Sequence, residues 1–210
     1  PSQELLPKHK YQHIYAPFAY TLMTYKWLLE KDFKQVVNYN KSDLFKAKDQ
    51  SLGMVWTKLI VGKLFHFSVF YAMPMLLGAP WYLVLWGNVV MHLIAGFILS
   101  ITFQLAHVVD KAEFPTEDEV QNITNIEHQM KTTANFATKN WLVTWYTGGL
   151  NFQVEHHMFP TINHIHYPKI AEIVRKTAAE FELPYNEYRT TLSAVKGHFR
   201  HLRNMGMQPA

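Results

Sequence analysis

Residues 64 to 109 include no Asp, Glu, Lys or Arg. A stretch of that length without charge needs either a deep protein interior or a lipid bilayer around it. Gly78-Ala79-Pro80 interrupts the apolar region. Glycine frees the backbone and proline supplies no N–H, so the break predicts a tight turn between two helices, 52–77 and 81 to about 107. At about 1.5 Å per residue, each is long enough to cross a hydrocarbon core of about 30 Å. Lys58, Lys63 and His66 interrupt the first helix and His92 lies in the second; the two lysines can snorkel toward the near interface.

Both flanks of the hairpin are rich in Lys and Arg, so the positive-inside rule puts both ends of this chain in the cytoplasm, in a bacterial inner membrane or an endoplasmic reticulum. Trp56, Trp81, Tyr82 and Trp86 stand where interfacial aromatic belts are expected. The resulting fold class is all-α, with three segments. Residues 1–51 form a cytoplasmic or interfacial helical segment, in which Tyr15, Phe18, Leu22, Tyr25 and Leu29 share one face of a helix over 11–37. Residues 52–107 form the transmembrane helical hairpin. Residues 108–210 form a cytoplasmic helical region, with Thr116 capping a helix, a helix over 122–136 and an amphipathic helix over 168–181 that Pro184 ends. With no initiator Met and no signal pattern, Pro1 reads as the start of a piece. A soluble helical protein is the rival that near-neutral mean hydropathy supports.

The chain has no cysteine and 12 histidines, so thiolate chemistry and cysteine metal sites are excluded and any metal must be held by nitrogen and oxygen. Its net charge of +4 is scattered and forms no basic stripe, which argues against a nucleic-acid partner. Among the histidines, Gln153, His156 and His157 stand at i, i+3 and i+4, so on a helix they share one broad face while Glu155 points away. Adjacent His156 and His157 differ by about 100° around the axis, which suits two neighbouring metal ions better than one. Gly148-Gly149 lets the backbone bend just before them, and Met158-Phe159-Pro160 closes the segment with apolar groups.

The run from Gly148 to Pro160, Gly-Gly-Leu-Asn-Phe-Gln-Val-Glu-His-His-Met-Phe-Pro, resembles the third histidine box of the membrane fatty acid desaturases. The form with Gln153 in place of a first histidine is similar to the front-end, linoleoyl-CoA desaturase-like branch. Gln-Met-Lys-Thr-Thr-Ala-Asn at 129–135, His-Tyr-Pro at 166–168 and the hairpin itself extend the likeness. The resemblance implies a four-helix membrane enzyme with two iron ions, of which this chain is the later portion. It implies His107, His156 and His157 as iron ligands and Gln153 as a ligand or a close neighbour of one. Gln104, one turn before His107, either orients that ring or a bound water, or is an ordinary polar residue at a helix end. His128 is expected beside the ligands. The complete enzyme is expected to use O2 and two electrons from a donor protein such as cytochrome b5 or a ferredoxin, and to place a cis double bond in an acyl-CoA or acyl-lipid chain.

Two irons need on the order of eight to ten donor atoms, and three histidines cannot hold them. The first two histidine boxes are not found in this sequence; His9 and His13 copy the spacing of the first, but no membrane segment precedes them here. The missing N-terminal half is therefore an expected partner, and this chain alone is expected to be inactive. His66 and His92 are expected to be hydrogen-bonded within the bundle, His164 and His166 to pack or cap a loop, and His198 and His201 to be solvated. A hydroxylase, ketolase or sphingolipid desaturase on the same scaffold is one alternative; a non-catalytic membrane hairpin protein is another.

Overall fold

The computed structural model describes residues 5–207. A 3-10 turn at Pro7–Tyr11 enters α1 (Gln12–Thr21), which continues through Met23–Lys26 and a π-turn at Trp27–Lys31 into α2 (Asp32–Lys41). The two long helices are α3 (Leu52–Leu76) and α4 (Trp81–His107). There follow α5 (Glu117–Gln121), α6 (Asn125–Thr132), β1 (Asn135–Phe136), α7 (Trp141–Tyr146), α8 (Gln153–Met158), α9 (Tyr167–Glu180), β2 (Glu187–Tyr188) and α10 (Thr191–Met207). The two short strands pair in parallel, Asn135 with Glu187 and Phe136 with Tyr188. The helix expected over 122–136 therefore stops at Thr132. Thr133 turns to extended backbone, and the Asn135 N–H donates to the Asn186 carbonyl at 2.8 Å instead of continuing the helix. Thr116 caps α5 as expected, in a reciprocal box with Glu119. Pro1 lies outside the described residues.

The chain divides into two compact units, one of residues 17–100 and one of residues 5–16 with 101–207. In the first, α3 and α4 have the length and composition of membrane-spanning helices, and no residue in the most apolar window of α3 is buried. Pro74 cannot donate to the Phe70 carbonyl, and the helix widens into a π-turn at Ser68–Ala72 just before it. Asn88 of α4 takes up that free carbonyl, its amide donating to Phe70 O at 2.9 Å and to Val84 O at 2.9 Å. Gly78 sits at φ 94° in the turn between the helices, a conformation that side chains disfavour.

Small and hydroxylated side chains bring the segment after α1 onto α4. A Cβ at Gly96 would run into the Thr21 carbonyl, and Ser100 Oγ donates to Tyr20 O at 3.1 Å. Thr24 Oγ1 donates to the His92 carbonyl at 2.9 Å, so its oxygen can only accept from His92 Nδ1, 3.2 Å away. His92 is thus hydrogen-bonded as expected. His66 is a correction, since its Nε2 is buried without a hydrogen-bond partner and the ring rests against Phe70 with centroids 4.8 Å apart. Lys63 also departs from simple snorkelling: it pairs with Asp32 at 2.6 Å and its side chain is only 15% exposed.

The second unit centres on Leu105, Val109, Phe136, Tyr188 and Ala194. Helix α10 packs closely here because Gly197 leaves no Cβ to meet Asp110 and Tyr188. His198, expected to be solvated, is fully buried and its Nδ1 lies 2.6 Å from the Val108 carbonyl. Burial pushes its pKa down and keeps the ring neutral. His201 is likewise half-buried, stacked on Phe114 with centroids 4.8 Å apart. The reason both were misread is that basic residues on α10, such as Arg200 with Asp110 at 2.8 Å, occupy only its outer face.

Candidate metal centre

The site is assembled from the last turn of α4 and from α8, six residues long, and the route of the backbone into α8 explains how so short a helix is held. Gly148 and Gly149 have φ of 59° and 80°, and a Cβ on Gly149 would lie 2.6 Å from the His164 Cβ. Asn151 is fully buried, its amide donating to Thr144 Oγ1 at 3.1 Å and its oxygen accepting from Thr147 Oγ1 at 3.3 Å. Asn135 Oδ1 then accepts the Val154 N–H at 2.9 Å, satisfying a donor at the open start of α8.

Beneath α8 lies a closed polar network. Glu155 is fully buried; one carboxyl oxygen accepts from Asn135 Nδ2 at 2.8 Å and the other from the Tyr185 hydroxyl at 2.8 Å. Asn135 Nδ2 also donates to that hydroxyl oxygen at 2.8 Å. Burial pushes the Glu155 pKa up, while the hydrogen bonds from Tyr185 and Asn135 oppose it. Glu155 thus points away from the histidine face, as its spacing required, and serves as the peg that fixes the helix. Val154 on the same turn packs with Met130, Val174 and Ala178.

With α8 fixed, His157 faces His107. Their Nε2 atoms are 3.3 Å apart and their rings are nearly perpendicular, at 85°. Two imidazoles on adjacent positions of one ion, with metal–nitrogen bonds of about 2.0–2.1 Å, place their nitrogens roughly 3–3.5 Å apart. The observed spacing fits. Loss of hydration, and after it the neighbouring His107 and His156 rings, lower the His157 pKa to about 4. At neutral pH its imidazole is therefore uncharged, the form that offers a lone pair to a metal. His156 turns elsewhere: its ring centroid is 5.7 Å from that of His157, and its Nδ1 is 3.3 Å from the Tyr167 hydroxyl, a contact that orients the ring.

His128 joins His107 and His157 in lining a cavity of about 490 Å³, with Glu113, Phe114 and Thr132 among the other walls. Gln104 is half-buried and is not among that cavity's lining residues. Gln153 is buried, and its Nε2 has no hydrogen-bond partner among the described residues. Among the described residues no group of three or more His, Cys, Asp or Glu side chains is placed to hold a metal ion. His9 accepts the Leu6 N–H at 3.1 Å on Nδ1, a capping role. Asn135, Tyr167 and Tyr185 were not singled out from the sequence as positioning residues. Asn135 stands within the Gln129–Asn135 stretch that carried part of the resemblance, whereas Tyr185 follows Pro184 in a loop and has no sequence signal.

The sequence profile of the fatty acid desaturase family matches residues 2–189. The chain is 35% identical over 203 residues to the acyl-lipid (8-3)-desaturase of Physcomitrium patens, covering 95% of this chain and 42% of that protein. It is 33% identical to the sn-1 linoleoyl-lipid 6-desaturase of Arthrospira platensis, covering 100% of this chain and 56% of the relative. With the sn-1 linoleoyl-lipid 6-desaturase of Synechocystis the figures are 35% identity, 98% and 58%. The chain thus spans about half the length of the curated relatives it matches. No solved structure matches it. The matched profile and these relatives show that the chain belongs to the fatty acid desaturase family, in its front-end branch.

Proposed function

We propose that this chain is the membrane-exit and third-box portion of an O2-dependent acyl-lipid desaturase. In this reading α3 and α4 form a hairpin with both ends on the cytoplasmic face, consistent with the Lys- and Arg-rich flanks. His107, His156 and His157 hold iron together with ligands from the N-terminal part that the longer relatives possess. Two iron ions, when bound, supply the O2-dependent oxidation that replaces two hydrogens of neighbouring methylenes by a cis double bond, with electrons from a donor protein such as cytochrome b5 or a ferredoxin.

The residues of this chain have separable tasks. His107 sits at the end of an apolar helix, so a metal held there stands over the point where an acyl chain leaves the hydrocarbon. Tyr167 orients His156, and the Glu155–Asn135–Tyr185 network keeps α8 from rotating its histidines out of register. Gln153 offers a buried amide donor to a ligand oxygen or a water beside the metals. The observation that carries the reading is the 3.3 Å approach of His107 and His157, fifty residues apart in sequence. The test is the fatty-acid profile of membranes expressing the full-length gene, wild type against the double variant His156→Ala, His157→Ala. A new double bond that disappears in the variant supports the proposal; product formation unchanged in the variant removes these histidines from the reaction.

A further inference from the structure

Helix α7 exposes large apolar side chains almost all round. Trp141 is 77% exposed, Trp145 72%, Tyr146 60% and Leu142 53%. Val143 turns inward, packing into the cluster of Leu105, Val109 and Phe136 to which Ile101 also adds, and beside it Thr144 accepts from the buried Asn151 amide. Ile101 and Leu105 belong to the last two turns of α4. One cluster therefore holds α7 beside the end of the apolar helix, with its tryptophans directed outward. Next to it, Lys139, Trp141, Trp145, Ile165 and Pro168 line an open groove of about 450 Å³, and Ile165 is 67% exposed.

We infer that α7 with the 139–145 and 164–168 segments is a membrane-interface anchor, seated in the headgroup and upper acyl region of a phospholipid bilayer. Tryptophan and tyrosine combine an apolar ring with a polar edge, which is the chemistry enriched where hydrocarbon meets water. Lys139 at the groove adds attraction for anionic headgroups. A patch of this size facing water is disfavoured, and its place beside the end of α4 is the level at which a bilayer surface passes. Gly148 follows α7 by two residues and Gln153 opens α8, so an anchor here sets the height of His156 and His157 above the lipid. The inference rests on the hairpin part of the proposal above, but not on iron or catalysis.

Single cysteines are introduced into the full-length protein with any cysteine outside this chain replaced by serine; the chain itself has none. Nitroxide labels at Leu142→Cys, Trp145→Cys, Ile94→Cys in α4 and Lys176→Cys in α9 are compared in phospholipid vesicles by power saturation, with oxygen as the lipid-soluble relaxant and a nickel chelate as the aqueous one. The expected result is that 142 and 145 fall between the two references, with an oxygen-to-nickel accessibility ratio clearly above that at 176 and below that at 94, which lies at the middle of α4. Labels at 142 and 145 that match 176 while 94 remains in lipid would overturn the anchor and leave the hairpin intact. Shielding from both relaxants would also overturn it, since a protein partner would then cover the patch. Aqueous behaviour at 94 as well would remove the hairpin reading and the anchor together. Tyr146→Cys repeats the comparison if either α7 variant folds poorly.

Discussion

The two units solve the same problem, burying polar groups without loss, by opposite means. In residues 17–100 polar side chains are spent one at a time on backbone carbonyls: Asn88 on Phe70 and Val84, Ser100 on Tyr20, Thr24 on His92. Between those points the helices approach through Gly96, and their outer faces are apolar. In the unit of residues 101–207, polar side chains meet one another in a closed network, Glu155 with Asn135 and Tyr185, directly under the histidines. Isolated side chain-to-backbone bonds lock helices that have no water to compete with them. A shared network instead fixes a short helix in rotation, which a site built from neighbouring histidines requires.

The contrast predicts different failures. The largest is expected from Asn135→Leu, which strips the Val154 N–H and both Glu155 and Tyr185 of a partner. Each buried group left without a partner costs about 1–3 kcal/mol, so the thermal unfolding temperature of the purified protein and its metal content should both fall. Gly96→Val forces a side chain into the Thr21 carbonyl and is expected to cost about 1–3 kcal/mol, read as a lower melting temperature in detergent with the fluorescence of Trp141 and Trp145 in the other unit little changed. Asn88→Leu leaves the Phe70 carbonyl without its donor and is expected to cost about 1–3 kcal/mol, toward the lower end because the π-turn can relax. Thr116→Ala removes one cap on exposed α5 and should cost about 1 kcal/mol. If Gly96→Val or Asn88→Leu lowered metal content as much as Asn135→Leu does, the division of labour between the units would be wrong.

The hairpin was legible because its signals are local: the uncharged run, the Gly-Ala-Pro turn and the clustered lysines each act within a few residues. That Glu155 points away from His157 was legible for the same reason, since one helical turn fixes it. What escaped was set by distant contacts. His198 looked solvated among basic neighbours, yet Gly197 admits Asp110 and Tyr188 and brings the ring to Val108. Helix α6 stopped early because Asn135 is needed by α8 and by Asn186. The pairing of His107 with His157 came from family likeness and from no spacing rule, and α7 with its exposed tryptophans was not singled out from the sequence.

Iron per polypeptide is the most direct test of the central claim, that the end of the membrane helix and the third box share one metal. It is measured on the purified full-length enzyme, comparing wild type with His107→Ala, His157→Ala and the double variant. The account expects each single variant to lose the same iron and the double variant to lose no more than either. Iron retained at the wild-type level in either single variant, or losses that add, would show that His107 and His157 do not serve the same ion.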